Sequence, residues 1–198
     1  MEYLGYINAE GGPLLVADGS LVSGWKGIDG ADYDRACSIF DSDTELEGSE
    51  IDLEGGKGIL WEMKGPGTAF AYRHGESHYV IVRLWPRDPM DLNAPDAVAQ
   101  QPMERVVRIG ALSIQSGILA LFWAVEDGSG MKLPPGVDVG RPIGDLSIEN
   151  AGLILRVPNT IISCFHDEVD SPAGIGRRLH LVASQPLEVP GCRTTRTG

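Results

Sequence analysis

Glycine and proline interrupt this sequence so often that long helices have little room. The chain of 198 residues contains 26 glycines and 13 prolines. Short runs of β-branched and aromatic residues stand between them, a pattern typical of strands joined by tight turns. The predicted strands are 3–8, 13–17, 58–63, 68–73, 79–85, 106–113, 117–125, 144–148, 152–157, 160–165 and 178–183. We therefore expect a mainly β (α+β) protein made of antiparallel strands.

Helix signals occur at only two places. Residues 32–37 could form a short helix with Asp29 or Asp32 as its N-cap. Residues 94–103 form the second candidate, with Asp96 as the cap and Pro102 as the stop. The sequence therefore predicts one or two short helices.

A proline-rich connector divides the strands into two groups. Residues 86–103 contain four prolines and few apolar residues. The predicted organisation is an N-terminal β lobe over 1–85, the connector at 86–103, a C-terminal β lobe over 104–190 and a flexible tail at 191–198.

The two linked lobes also resemble each other. Residues 12–16, 58–61, 69–72 and 79–84 are similar to residues 117–121, 152–155, 161–164 and 178–183, respectively. A duplicated β unit would explain this likeness. Chance similarity between apolar strands would explain it as well, so both interpretations stay open.

Negative charge is concentrated in the first quarter of the chain. The net charge is -12, and residues 1–54 alone hold 13 acidic residues against Lys26 and Arg35, which gives -11. An acidic surface repels nucleic acid and anionic membranes, and it attracts basic partners. The simpler alternative is that the acids keep the protein soluble.

The location is expected to be cytoplasmic. The longest apolar run, 118–125, is far shorter than the about 20 residues that cross a bilayer. The N-terminus has no basic region typical of a signal peptide. Cys37, Cys164 and Cys192 are odd in number and widely spaced, which favours reduced thiols over a disulfide framework.

The familiar motifs of catalysis and of metal or cofactor binding are missing from the sequence. There is no phosphate-binding loop, dinucleotide fingerprint or nucleophile elbow. His74 and His78 are four residues apart, but Gly75 stands where a zinc-binding helix needs Glu, so a hairpin tip is favoured. The acidic run from Asp41 lacks the glycine that a calcium loop needs at its sixth position. We expect no metal and no cofactor.

One group of residues keeps an enzyme hypothesis open. Cys164, His166 and Asp167 are the types found in nucleophilic catalysis, and on a strand the first two would share a face. Residues so close in sequence rarely reach triad geometry, and a buried Cys is often a small apolar residue. Catalysis near these residues is therefore the alternative, and we expect no enzyme.

Residues 29–54 are instead the predicted binding segment. The candidate partner-binding residues are Asp29, Asp32, Asp34, Asp41, Asp43, Glu45, Glu47 and Glu50. Those from Asp41 to Glu47 alternate, so on a strand they would line one face. Trp25, Tyr33 and Phe40 accompany them, either as interface anchors or as core residues.

The opening of the chain resembles a known family. Residues 6–15, 25–28 and 32–37, with the apolar runs 58–61 and 80–85, are similar to the bacterial immunity protein 21 family. The likeness is clearest over 3–37 and extends to about residue 85. It implies a cytoplasmic protein that binds and neutralises a cognate toxin of a polymorphic toxin system by occlusion, and it transfers no catalytic residues.

The negative charge favours a basic toxin, for example one that attacks nucleic acid and must hold phosphates, but the sequence does not identify the toxin. The remaining alternative is a general protein-interaction module unrelated to toxins.

Overall fold

Two antiparallel sheets contain nearly all of the regular structure. A computed structural model describes residues 1–41, 47–62, 64–143 and 146–184. The strands are β1 (Glu2–Ala9), β2 (Leu14–Asp18), β3 (Gly48–Leu53), β4 (Gly56–Trp61), β5 (Gly67–His74), β6 (His78–Pro86), β7 (Val107–Ile114), β8 (Ile118–Trp123), β9 (Val139–Gly140), β10 (Gly152–Arg156), β11 (Thr160–Ser171) and β12 (Gly174–Ala183). The helices are α1 (Asp32–Asp41) and α2 (Ala94–Ala99). The prediction of a mainly β chain with short helices is confirmed.

Both halves of the chain contribute to both sheets. The first sheet has the order β1-β5-β6-β12-β11-β7, and the second has the order β3-β4-β2-β8-β10-β9. Each sheet therefore takes three strands from residues 1–86 and three from residues 107–183. The halves meet where β6 pairs with β12 and where β2 pairs with β8, both antiparallel.

The strand orders are symmetric about these two junctions. Each of five strands in the first half of the chain has a counterpart in the second half: β1, β2, β4, β5 and β6 correspond to β7, β8, β10, β11 and β12. Counted outward from each junction, the corresponding strands follow in the same order on both sides. The register agrees as well. Leu14 pairs with Trp61, and their counterparts in the sequence likeness, Leu119 and Leu155, also pair. This topology supports the interpretation of a duplicated β unit.

The main core lies between the two sheets. Alternate residues of each strand point into it, such as Leu14 and Val16 of β2 and Leu179 and Leu181 of β12. We call the side of each sheet that faces the other sheet its inner face. Burial of these apolar side chains is the dominant favourable term in the stability of such a sandwich.

The outer face of the second sheet is also covered. Leu15 and Ala17 of β2 point away from the main core and pack against Trp25, Ala36 and Phe40 of the segment that carries α1. Every residue of β2 is therefore buried, which explains why this strand is continuously apolar. The sequence left Trp25 and Phe40 open as interface anchors or core residues, and the structure places both in the core.

Helix α2 packs on the outer face of the first sheet. Val98 and Ala99 contact Tyr72 of β5 and Val80 and Val82 of β6. Gly176 of β12 makes this approach possible, because a Cβ there would overlap Val98. The proline-rich connector is thus bound to the sheet along its helical part.

The residues at the helix N-termini differ from the N-caps expected from the sequence. Asp96 does not cap α2, since Asn93 is at the N-cap position. The Asp96 carboxylate instead accepts a hydrogen bond from the Tyr72 hydroxyl at 2.7 Å. Asp32 is the first residue of α1, and its carboxylate accepts the Lys26 N–H at 2.8 Å.

Some strands also differ from expectation. In the predicted strand 144–148, the described residues 146–148 are irregular. The Ser147 N–H donates to the Glu126 carboxylate at 2.9 Å and not to a neighbouring strand. Strands β3 and β9 were not predicted. Strands β11 and β12 are longer than predicted and meet in the tight turn between Ser171 and Gly174. The tail at 191–198 lies outside the described residues.

Candidate functional site

The segment between β2 and β3 forms an extra layer on the second sheet. Two 3-10 turns, Val22–Gly24 and Gly27–Asp29, lead from β2 to α1. The Trp25 indole N–H donates to the Ala124 carbonyl at 2.8 Å, and the Ile28 N–H donates to Val125 at 2.9 Å. These bonds hold α1 on the sheet and leave its polar side facing solvent.

Three of the predicted binding residues are exposed on this layer. Asp29 lies at the end of the second 3-10 turn, Asp34 in the first turn of α1 and Asp41 at its last residue. Each is exposed, and none has an ion pair within the part of the chain that the structure describes. Their charges are available to a partner.

Three other predicted residues have partners inside the protein. The Asp32 carboxylate bonds Arg35 at 3.1 Å. Glu47 pairs with Arg177 of β12 and lies 3.8 Å from Lys64. The Asp32 pair lies within α1, whereas Glu47 connects separate elements of the fold.

Glu50 is likewise occupied. It pairs with Lys57 and accepts the Ala111 N–H of β7 at 3.1 Å. Its pKa is lowered, first by the hydrogen bond from Lys57 and then by the one from Ala111. Glu50 therefore accepts a backbone N–H of β7, the edge strand of the first sheet, and links this sheet to the second.

The acids from Asp41 to Glu47 were expected to alternate along one strand. Asp41, the first of them, belongs to a helix instead. Asp43 and Glu45 lie outside the described residues. Glu47 precedes β3. The acidic surface is therefore built by α1, the turns before it and the loop after β3.

A cleft completes this surface. Its volume is about 350 Å³, and it lies between the turns, α1 and the end of β3. Its lining includes Asp32, Asp52, Glu54, Arg35 and Leu53. Asp52 and Glu54 were not among the predicted binding residues, although both lie in the acidic segment. We call this feature the acidic cleft.

Geometry disfavours the triad of Cys164, His166 and Asp167. Cys164 is fully buried in the core, and burial raises the pKa of its thiol to about 12. The Nδ1 atom of His166, also on the inner face, accepts the Trp61 indole N–H at 3.2 Å. Asp167 points to the opposite face, where it bonds Arg178. The three groups form no nucleophile, base and orienter arrangement.

Asp167 instead belongs to a buried polar network. Arg178 is fully buried, and its Nε and Nη2 donate to the two Asp167 oxygens at 2.8 and 2.5 Å. His180 Nε2 lies 3.0 Å from Asp167 Oδ1, and its Nδ1 lies 3.1 Å from Nε2 of His78. The His78 ring stacks on His74 at 5.8 Å between ring centres.

The network joins the connector to the first sheet. Arg178 donates through Nη1 to the carbonyls of Val98 and Gln101, at 3.2 and 2.6 Å, and through Nη2 to that of Pro102 at 2.9 Å. These carbonyls belong to α2 and the residues just after it, where helices leave acceptors unsatisfied. The network is therefore a structural clamp.

Electrostatics supports this role. Burial raises the pKa of Asp167, but hydrogen bonds from His180 and Arg178 outweigh it and lower the pKa to about 2. Burial lowers the pKa of His78 to about 4, and His180 and His74 act in the same direction. Asp167 and His180 are both almost fully buried, as expected for groups that stabilise the packing of α2 on the sheet.

The described residues contain no group of three or more His, Cys, Asp or Glu arranged to hold a metal ion. His74 and His78 flank the turn between β5 and β6, as the hairpin-tip interpretation predicted. A signal for the polar network was present in the sequence: Arg178 and His180 alternate with the apolar residues of a strand. Its partners could not be read from that pattern.

Comparisons with protein-family models, with curated proteins and with solved structures each gave no match. The resemblance to the immunity protein 21 family stays a prediction from the sequence. Among the described residues, no helix has the length and apolar character that crossing a bilayer requires.

Proposed function

We propose that this chain is a bacterial immunity protein that binds and neutralises a cognate toxin in the cytoplasm. It acts by occlusion and not by catalysis. The observation that carries the proposal is the acidic cleft, together with the exposed carboxylates of Asp29, Asp34 and Asp41 on α1 and the turn before it.

The cleft suits a cationic side chain from a partner protein. Asp52 and Glu54 supply carboxylates, and Leu53 supplies apolar surface for the methylene stem of Lys or Arg. A single base, Arg35, lines it, and that guanidinium already bonds Asp32 and the Asp52 carbonyl. The cleft therefore keeps a negative balance.

The exposed acids act at longer range. Carboxylates on one surface raise the rate at which a basic partner encounters it, over distances comparable to the Debye length of about 8 Å at physiological salt. A toxin that attacks nucleic acid presents a basic surface for phosphates. An acidic inhibitor covering that surface competes directly with the substrate.

The first experiment is co-expression with the product of the neighbouring gene. Growth rescue together with co-purification of a complex is the expected result. A toxic neighbour that is not neutralised, or that does not bind, would refute the immunity proposal. Binding to a neighbour that is harmless would favour a general interaction module.

The second experiment locates the interface. The triple variant Asp29→Asn, Asp34→Asn and Asp41→Asn should associate about tenfold more slowly at low salt and show a flatter salt dependence. The control changes three exposed acids elsewhere, Glu76→Gln, Asp88→Asn and Glu104→Gln, and so alters net charge equally. Equal effects of the two triple variants would remove α1 and its turns from the interface.

A charge reversal tests the cleft itself. Glu54→Arg places a cation in the acidic cleft and should raise Kd more than about tenfold, mainly through faster dissociation. Glu54 is exposed, so the variant is expected to fold. An unchanged dissociation rate would exclude the cleft from the complex.

A further inference from the structure

Strand β7 lies at the edge of the first sheet and has little protection of its own against pairing with another strand. Proteins usually protect such edges with charged residues, proline or a bulge on the strand itself. The charge of Arg108 and the irregular register beside it lie at the start of β7, and residues 109–117 contain neither charge nor proline. The edge strands of the second sheet differ, because β3 carries Glu50 and Asp52 and β9 has only two residues.

Two carboxylates from the second sheet supply the missing protection. Glu50 of β3 accepts the Ala111 N–H at 3.1 Å, and Asp18 of β2 accepts the N–H of Gln115, just after the end of β7. Gly110 makes the approach of Glu50 possible, because a Cβ there would overlap the Glu50 side chain. The edge is therefore closed at two positions by side chains and not by strand pairing.

Ser113 lies between these two positions and is open. The alternation of an antiparallel strand directs its N–H to the same side as that of Ala111. On the other side Ser113 lies opposite Ile161, whose carbonyl accepts the Ser184 N–H and so faces β12. No described residue accepts the Ser113 N–H, and a cavity of about 230 Å³ lies along Ala111, Ser113 and Gln115. A second backbone has space at this point of the edge.

We propose that the edge of β7 is a pairing surface for a second copy of this chain, and that the Glu50 carboxylate keeps it closed. With Ala111 of one copy opposite Ser113 of the other, two antiparallel β7 strands form four backbone hydrogen bonds. Glu50 prevents this pairing in two ways. It occupies the Ala111 N–H, and it would bring two like charges together at the contact.

A second copy fits this edge because the edge is complementary to itself. The donors and acceptors of Ala111 and Ser113 meet their own counterparts about a two-fold axis. The side chains on the outer face at this point, Ala111 and Ser113, are small and uncharged, so two edges approach without repulsion once Glu50 is removed. Because the axis uses the free edge of each copy, pairing stops at a dimer.

Glu50→Ala opens the edge, and Asp52→Ala is its matched control. Asp52 lies on the same strand, its removal changes the net charge equally, and its side chain makes no hydrogen bond to β7 among the described residues. Sedimentation equilibrium of the full chain up to millimolar concentration is the assay. The Glu50 variant should associate at least about tenfold more strongly than the unaltered protein and the Asp52 variant, as added backbone hydrogen bonds predict.

Ser113→Pro locates the contact. Proline is tolerated on an edge strand where the missing N–H faces away from the sheet, so this substitution should allow folding. Combined with Glu50→Ala, it should return the protein to a monomer, because it removes one of the two donors that each copy provides. Persistent association of the double variant, a mass beyond two chains, or equal association of the Glu50 variant and the unaltered protein would overturn the proposal.

Hydrogen exchange of the unaltered chain tests the same edge without a substitution. The Ser113 amide should exchange at least about tenfold faster than the Ala111 amide, because only the second has an acceptor. Equal protection of the two amides would mean that the edge at Ser113 is already occupied. That result would overturn the proposal even if the Glu50 variant failed to fold.

Discussion

The ion pair between Asp167 and Arg178 gives the sharpest stability prediction. The side chains are 2% and 0% exposed, and Arg178 makes five hydrogen bonds to Asp167 and three carbonyls. Asp167→Asn keeps the size of the side chain but removes its charge. The Arg178 guanidinium then stays buried between β12 and α2 without a counter-ion.

The expected loss follows from the burial. Breaking a buried ion pair by removing one partner destabilises a protein by about 3–5 kcal/mol, because the remaining charge is uncompensated. Single domains have a free energy of unfolding of about 5–15 kcal/mol. With a urea dependence of about 1–3 kcal/mol per molar, the midpoint of urea unfolding should fall by at least about 1 M.

The pKa of Asp167 predicts a matching pH effect. Because this pKa is lowered from 3.8 to about 2 in the folded protein, the charged carboxylate stabilises the fold above pH 3.8. That contribution is lost as the pH falls from 3.8 towards 2. Asp167→Asn has no carboxyl to titrate, so its unfolding free energy should change less over this interval.

The assay is urea unfolding followed by far-UV circular dichroism, with Asp170→Asn as the control. Asp170 lies on the same strand, but its pair with Arg87 is exposed and should contribute at most about 1 kcal/mol. Hydrogen exchange should show earlier opening of α2 in Asp167→Asn, because the clamp on its carbonyls is weakened. Equal midpoints for the two variants would refute the reasoning.

Two further predictions concern histidines and glycines. Burial lowers the pKa of both His78 and His166 from 6.5 to about 4, so the folded state resists protonation. Because one pKa unit corresponds to about 1.4 kcal/mol, stability should fall by about 2–3 kcal/mol for each histidine as the pH drops from 6.5 towards 4. A urea midpoint that stays constant over this range would contradict this prediction. Gly27→Ala should cost about 2 kcal/mol or more, because Gly27 has a φ of 53° and a Cβ there would overlap the Val125 carbonyl. Gly75→Ala, at a φ of 68° in open space, should cost about 1 kcal/mol, and equal melting temperatures would argue against the contact with Val125.

The strands of the fold were largely predictable because their signals are local. Apolar runs such as β8 and β10 are bounded by Gly or Pro, and each is long enough to be recognised as a strand. Strand β3 was missed because its sequence is acidic and contains few apolar residues. It lies at the edge of the second sheet and gains its place by pairing with β4, which local sequence does not show.

The sites were less predictable because their contacts join distant residues. Glu47 and Glu50 were expected to bind a partner, yet they bond Arg177 and Ala111, which are 130 and 61 residues away. The pairing of His78 with His180 requires the register between β6 and β12. Charge sign could be read from the sequence, but the register that decides which charges are already neutralised could not.

The internal symmetry of the sheets indicates where function resides. The related halves supply the strands, but the connection from β2 to β3 carries α1 and the acidic cleft, whereas its counterpart from β8 to β9 has only the 3-10 turn Gly128–Gly130 in place of a helix. Because the acidic cleft is not repeated by the symmetry, the proposed toxin has one place to bind, and under that proposal we expect one toxin per chain. A complex of two toxins with one chain, measured by sedimentation equilibrium, would mean that the duplicated strands themselves form the interface.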